Sequence, residues 1–198
     1  MQDDVSRRFG PPTRLEYHAP RELEHPLHPI CETASRVLVW VQPRLLSAAY
    51  ELWSKEQVVA TLRFRSFAHR RAIAAAADGF WIIEDLQRGD GTVHVSTPKG
   101  VIGRLTRRND LVDTFILDTG EVFLWAHESI WENEYTFRDE TGRKLLLFRP
   151  EKSMTARARI ELAPDVEKHP STSLLTLLGF YLILHGAPRY ELYQPINA

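Results

Sequence analysis

One stretch near the C-terminus constrains the fold of this chain more than any other feature. Residues 174–184, LLTLLGFYLIL, carry large apolar side chains at almost every position. Helix start and stop signals frame the stretch: a Ser-Thr-Ser run precedes it, His185 and Gly186 follow it, and Pro188 comes shortly after. The sequence therefore predicts one helix at about 171–185.

The apolar side chains of this helix point in every direction. No polar face is left for water, so the helix must be enclosed on all sides. A membrane span needs about 20 apolar residues, whereas this stretch of about eleven rises about 17 Å. Because the stretch is too short to cross a bilayer, we expect protein to enclose it and predict no transmembrane span. The predicted core residues of the helix are Leu174, Leu175, Leu177, Leu178, Phe180, Leu182, Ile183 and Leu184.

Residues 37–162 show the short apolar runs and regular turn signals of an all-β protein. About twelve runs have strand character, and turns such as Asp78-Gly79 and Lys99-Gly100 place glycine where a positive φ is tolerated. Residues 71–77 have a helix-like composition, but the turn that follows favours a strand. A closed barrel of about twelve strands is wide enough to hold a helix. The predicted fold class is therefore mainly β: a closed antiparallel barrel of about 12 strands around a buried hydrophobic C-terminal helix.

Composition divides the chain into three parts. Residues 1–36 contain five of the twelve prolines and three of the eight histidines, which indicates an irregular Pro/His-rich N-terminal arm. Residues 37–186 form the predicted barrel with its central helix. Residues 187–198 form a short C-terminal tail.

Charge and cysteine content exclude several classes of protein. The formal net charge is -1, so no global field attracts nucleic acid or an anionic membrane, although local patches stay open, and we expect no nucleic-acid partner. Cys31 is the single cysteine, which excludes an intrachain disulfide and a cysteine-only zinc site. The polar N-terminal residues do not resemble a signal peptide. We expect a cytoplasmic protein, with peripheral attachment to a membrane left open.

The order of these elements resembles a known superfamily. The segments YELWSKEQVVATLRFRS and ADGFWIIED, followed by STSLLTLLGFYLILH, are similar in pattern to the tubby C-terminal-like superfamily, which includes the phospholipid scramblases and the LURP-one-related proteins. The similarity covers about residues 37–186 and looks most like the small prokaryotic members. It implies a twelve-stranded closed barrel around a hydrophobic C-terminal helix.

The same resemblance implies contact with membranes. Tubby domains bind phosphoinositides through basic surface residues, and scramblases are membrane-associated, with calcium and an acylated cysteine cluster. This chain departs from the scramblases because it has no cysteine cluster and no acidic calcium loop. The resemblance therefore implies lipid binding here rather than scramblase activity.

A basic cluster is the leading candidate for a ligand site. Lys99, Arg104, Arg107 and Arg108 follow one another closely in the sequence. Guanidinium groups match phosphate oxygens in paired fashion, so the cluster could hold phosphate head groups. The alternative is a solvated turn between strands, neutralised by nearby aspartates.

A second set has the composition of a metal site. His25, His28 and Cys31 fall at intervals of three, and imidazole with thiolate suits zinc or copper. Prolines interrupt the segment, and no second pair of ligands stands at a zinc-finger spacing. We therefore predict no metal and interpret these residues as incidental to a proline-rich arm.

The motifs of common enzymes are absent from the sequence. It contains no G-x-S-x-G, Walker, G-x-G-x-x-G or HExxH pattern. Carboxylates such as Glu84 and Asp85, or Glu132 and Glu134, could serve as an acid/base pair, but no pair is identified as facing a cleft. We predict a non-enzymatic module, without a cofactor, that binds a lipid head group or a protein partner. Two alternatives stay open: an enzyme with a carboxylate pair or a His/Cys metal site in a surface groove, and a purely structural or regulatory interaction module.

Overall fold

The computed structural model describes residues 27–33, 35–45, 47–64, 70–85, 91–106, 112–129 and 133–186. These residues form twelve strands, two short 3-10 turns and one α-helix, α1 (Thr172–Gly186). The strands are β1 (Val37–Val41), β2 (Ala49–Ser54), β3 (Gln57–Phe64), β4 (Arg71–Ala76), β5 (Gly79–Asp85), β6 (Thr92–Thr97), β7 (Gly100–Thr106), β8 (Val112–Leu117), β9 (Val122–Ser129), β10 (Glu134–Asp139), β11 (Lys144–Pro150) and β12 (Arg157–Leu162).

The strands form one closed antiparallel barrel. Each strand pairs with its neighbours along the chain, and β1 pairs with β12 to complete the circle. In this order β5 and β11 stand on opposite sides of the barrel. The helix α1 contacts both of them, together with β3 and β4. Since one helix can reach opposite walls only from within, α1 lies inside the barrel, and the predicted fold class is confirmed.

The helix is buried over most of its length. All residues from 171 to 182 are buried, and the helix bounds agree with the predicted 171–185 to within one residue. Six of the eight predicted core residues are fully enclosed. Ile183 and Leu184 are only partly buried, because they lie in the last turn, where the helix leaves the barrel.

Small residues allow the helix and the wall to approach closely. A Cβ atom added to Gly179 of α1 would lie 2.3 Å from the ring of Phe148 on β11. Close by, Trp40 of β1 stacks on Phe180 with ring centroids 4.5 Å apart. The inward residues of β4 include Ala72 and Ala74, both fully buried. These small residues let the helix lie in direct contact with the wall.

The two ends of the barrel differ in how the strands are connected. At one end, the turn end, connections of two to four residues join β2 to β3, β4 to β5, β6 to β7, β8 to β9 and β10 to β11. At the other end, the loop end, connections of four to seven residues join the remaining pairs. The helix enters from the turn end and emerges at the loop end.

Two 3-10 turns cover the turn end. The turn Ile30–Glu32, which precedes β1, contacts the turn Val166–Lys168, which precedes α1. Ile30 and Val166 are buried in the core cluster. The backbone N–H of His28 donates to the carbonyl oxygen of Val58 at 3.1 Å, which attaches this segment to β3. Residues 1–26 of the predicted arm and the predicted tail at 187–198 lie outside the described residues.

The structure refines three strand predictions. Residues 71–76 form the strand β4 despite their helix-like composition. The run at 121–125 predicts a strand that ends at Trp125, whereas β9 continues to Ser129. The glycine of the Asp78-Gly79 turn serves a different purpose from the predicted one: a Cβ there would lie 2.2 Å from the Trp81 ring, whereas Gly100 has the expected positive φ of 138°.

Candidate functional site

Arg104 lies on the outside of the barrel, on β7. In the strand register it stands opposite His94 of β6 and Ile116 of β8. Its neighbours Gly103 and Leu105 are buried and point inward, so the alternation of a strand turns Arg104 toward solvent. Arg104 has no ion-pair partner among the residues that the structure describes. Its guanidinium group is therefore available to an anionic ligand.

Arg104 has an apolar side chain, Ile116, as its cross-strand neighbour on β8. Ile116 and Val112 of β8 share the outer face and are 48% and 36% exposed. Val122 and Leu124 of β9 continue the face and are partly buried. We call the surface formed by Arg104, Val112 and Ile116 the β7–β8 face. A cation beside exposed apolar groups fits a partner that offers both negative charge and apolar contact.

The other predicted basic residues do not join Arg104 in a described cluster. Lys99 lies in the connection from β6 to β7 at the turn end. Arg104 follows five residues later, about 16 Å along an extended strand at about 3.3 Å per residue. Arg107 and Arg108 lie outside the described residues, after β7 ends at Thr106. The structure thus separates Lys99 from the β7–β8 face.

The wall from β9 to β11 is organised differently, because its charges neutralise one another. Glu128 of β9 lies 2.6 Å from Arg138 of β10 and 2.7 Å from Lys144 of β11. Hydrogen bonds from Lys144 and Arg138 lower the pKa of Glu128 from 4.5 to about 2. The carboxylate is therefore charged at all physiological pH values and is occupied by its neighbours.

The ion pairs continue onto the next two strands. Arg149 of β11 lies 2.5 Å from Glu134 of β10 and also pairs with Glu161 of β12. The hydrogen bond with Glu134 raises the pKa of Arg149. Arg157 of β12 lies 3.1 Å from Glu151. Basic residues on this side of the barrel are held by carboxylates, which distinguishes them from Arg104.

The candidate metal ligands lie beside the first 3-10 turn. His28 is partly buried just before this turn, and Cys31 within it is an exposed free thiol. His25 lies outside the described residues. Within the described part of the chain, no three His, Cys, Asp or Glu side chains are grouped closely enough to hold a metal ion.

The candidate carboxylate pair does not face a common cleft. Glu84 and Asp85 are successive residues of β5, so their side chains point to opposite faces of the sheet. Glu84 is on the outside, whereas Asp85 points into the barrel and is buried. Glu134 is engaged by Arg149, and Glu132 lies outside the described residues.

Asp85 instead belongs to a polar anchor of the helix that no sequence pattern predicts. Its carboxylate lies 3.1 Å from the guanidinium group of Arg70. The hydroxyl group of Tyr181 in α1 accepts a hydrogen bond from the backbone N–H of Asp85 at 3.1 Å and donates one to the carbonyl oxygen of Arg70. These bonds attach the last turns of the helix to the wall at the loop end. The one sequence signal was Tyr181 itself, a hydroxyl group within an otherwise apolar run.

More polar side chains line the interior near the loop end. His127 of β9 points inward and stacks on Tyr135 of β10, with ring centroids 4.6 Å apart. Burial lowers the pKa of His127, so its imidazole is neutral at physiological pH. Together with Tyr181 and Asp85, these residues make the interior more polar near the loop end than in the middle of the barrel.

Comparison of the chain with protein-family models, curated proteins and solved structures finds no match. Among the described residues, no helix has both the length and the apolar character needed to cross a membrane.

Proposed function

We propose that this chain is a non-enzymatic binding module that attaches to an anionic membrane surface through the outside of its barrel. The observation that carries the proposal is the β7–β8 face. There Arg104, without an ion-pair partner among the described residues, stands opposite the exposed side chain of Ile116, and the exposed Val112 lies four residues away on the same face of β8. A lipid surface offers phosphate groups and apolar chains in the same combination.

Comparison with β11 and β12 supports this assignment. The outer arginines of β11 and β12 are paired with carboxylates, and a paired cation gains little from a second anion. Arg104 has His94 and Ile116 as its cross-strand neighbours instead. An anionic head group would supply the charge that this position lacks.

The proposal includes the relationship that the sequence suggests, to the tubby C-terminal-like superfamily. A twelve-stranded barrel around a C-terminal helix is the fold that the resemblance implies. We propose a cytoplasmic protein that is peripheral at the membrane and needs no cofactor. Fold alone does not determine function, so the membrane assignment depends on the β7–β8 face.

Binding fits the described carboxylates and histidines better than catalysis does. Glu84 and Asp85 point to opposite faces of β5, and Asp85 is committed to Arg70. His28 and Cys31 lie at the turn end, far along the barrel from Asp85. A surface-groove enzyme would need two such groups in one cleft.

Vesicle flotation tests the proposal directly. The full chain should float with vesicles that contain phosphatidylserine and stay at the bottom with phosphatidylcholine alone. The change Arg104→Ala should weaken binding about fivefold, because one cation near an anionic surface contributes about 1 kcal/mol. The Arg104/Arg107/Arg108→Ala triple variant should weaken binding further.

Lys99→Ala is the matched control. It removes one charge from the turn end, just before β7, where Lys99 is exposed and forms no ion pair among the described residues, and it should leave flotation unchanged. Equal flotation of the parent chain with both kinds of vesicle would contradict electrostatic binding. Equal losses in Arg104→Ala and Lys99→Ala would show that the β7–β8 face has no special role.

A further inference from the structure

Two loop tips at the loop end expose large apolar side chains. Leu45, in the connection from β1 to β2, is 60% exposed, and Met154, in the connection from β11 to β12, is 91% exposed. Both connections leave the barrel side by side, because β1 pairs with β12 and Val41 stands opposite Arg157. The two tips therefore project from neighbouring points on the same rim.

Gln42 holds the two connections together. Its side-chain amide donates to the carbonyl oxygen of Ser47 at 2.6 Å, within the first connection. Its side-chain oxygen accepts from the backbone N–H of Ala156 at 3.1 Å, and its own backbone N–H donates to the carbonyl oxygen of Ala156 at 3.2 Å. A single residue thus links both loops, and its hydrogen bonds hold the bases of the two loops next to each other.

Each apolar tip has a cation close to it in the chain. Arg44 precedes Leu45, and Lys152 lies two residues before Met154; both cations are exposed. Neither forms an ion pair with a residue in the described part of the chain. Apolar tips flanked by free cations combine the two interactions that hold a protein at an anionic bilayer: apolar burial below the head groups and charge attraction at their level.

The charges of the two ends make the loop end the better match for an anionic surface. The described connection residues there include two basic side chains, Arg44 and Lys152, and one acidic side chain, Glu151, while Arg70 is neutralised by Asp85 of β5. The described turn-end connections, with the segments before β1 and after β12, carry eight acidic side chains against five basic ones. An anionic membrane would attract the first end and repel the second.

We propose that the loop end is the membrane-facing end. Leu45 and Met154 enter the boundary between head groups and acyl chains, while Arg44 and Lys152 contact lipid phosphates. This inference rests on the proposed membrane function and adds an orientation to it. Arg104 lies two residues before the loop-end terminus of β7, so the same orientation brings the β7–β8 face close to the head groups.

Environment-sensitive dyes on single cysteines test the orientation. In a Cys31→Ser background, which removes the exposed native thiol, Leu45→Cys and Met154→Cys would each carry a nitrobenzoxadiazole label. Lys55→Cys, in the connection from β2 to β3, would carry the same label at the turn end. With phosphatidylserine vesicles, the emission maxima of the labels at 45 and 154 should shift to shorter wavelength. Nitroxide lipids should quench the fluorescence of both labels. The label at 55 should not change.

The Leu45→Ser/Met154→Ser double variant provides an independent measurement. It should lose at least tenfold in vesicle affinity and keep the parent's urea midpoint, since both side chains are exposed. If the parent floats but the labels at 45 and 154 show neither an emission shift nor quenching, the orientation is wrong and the membrane function stands. If the parent does not float, both proposals fail. If the parent self-associates without vesicles and the double variant does not, the tips belong to a contact between copies of the chain, and the membrane orientation is overturned.

Discussion

The two ends of this barrel hold the central helix in different ways. At the turn end, short connections, two 3-10 turns and the buried side chain of Ile30 close the interior. At the loop end α1 leaves the barrel, and the interior there is lined in part by Asp85, Tyr181 and His127. Polar side chains are buried at both ends, since Ser171, Thr172 and Ser173 lie at the start of α1. The two ends therefore differ in how the helix is held: by packed coverage at the turn end, and by hydrogen bonds between the wall and Tyr181 at the loop end.

The largest expected effect tests the difference between the turn end and the loop end. Ile30→Ala should reduce the free energy of unfolding by about 2–5 kcal/mol, because it removes buried methyl groups and leaves a cavity at the turn end. Leu45→Ala, the same kind of truncation at the loop end, should change it by less than about 0.5 kcal/mol. Urea unfolding followed by tryptophan fluorescence measures both. Similar losses for the two variants would remove the distinction between the ends.

The next effect concerns the anchor of the helix at the loop end. Tyr181→Phe should cost about 0.5–1.5 kcal/mol, since the N–H of Asp85 and the carbonyl group of Arg70 lose their bonds to the hydroxyl group but keep the direct bond between them at 3.2 Å. Faster amide hydrogen exchange at Asp85 should accompany the loss.

Tyr50→Phe is the control for that change. Tyr50 is equally an aromatic residue of the core, but no described residue forms a hydrogen bond with its hydroxyl group. This variant should stay within about 0.5 kcal/mol of the parent. A Tyr181→Phe protein as stable as the Tyr50→Phe protein would mean that packing alone holds the helix exit.

A smaller, pH-dependent effect is expected in the wall between the two ends. The pKa of Glu128 is lowered from 4.5 to about 2 by its two cationic partners. A lowered pKa in an acid means that its stabilisation is complete above about pH 4.5 and is lost as the pH falls toward 2. Glu128→Gln should therefore cost on the order of 1 kcal/mol at neutral pH, after allowance for solvent screening, and should flatten the acid limb of the stability profile.

Glu56→Gln is the control for the pH profile. Glu56 is exposed in the connection from β2 to β3 and forms no ion pair among the described residues. Its replacement should leave the acid limb unchanged. If the Glu128→Gln and Glu56→Gln profiles coincide between pH 4.5 and 2, the paired wall does not contribute to acid stability.

The sequence predicts the interior of this protein much better than its surface. The apolar residues of α1 require that protein encloses the helix on all sides. The number of strands then predicts a barrel that is wide enough to hold it. The surface carries no such periodic constraint. Exposed residues such as Leu45 and Met154 become neighbours only because β1 pairs with β12, and no local pattern reports a contact between positions more than a hundred residues apart.

The candidate site illustrates the same limit. Closeness in sequence suggested that Lys99 and Arg104 act together, but a strand places them along its length, toward different ends of the barrel. The anchor formed by Asp85, Arg70 and Tyr181 was missed for the opposite reason, since its members come from distant segments. Strand register, rather than residue type, determines both outcomes.

The smallest expected effect compares one backbone position at each end. Lys55 in the turn end and Asn133 in the loop end both have a positive φ, 54° and 51°. Lysine is strained in this conformation, whereas asparagine tolerates it. Lys55→Gly should therefore stabilise the protein by up to about 1 kcal/mol, and Asn133→Gly should gain less or nothing, because glycine also increases the entropy of the unfolded chain. Thermal unfolding measures both, and a larger gain at Asn133 than at Lys55 would show that backbone strain is concentrated at the loop end instead.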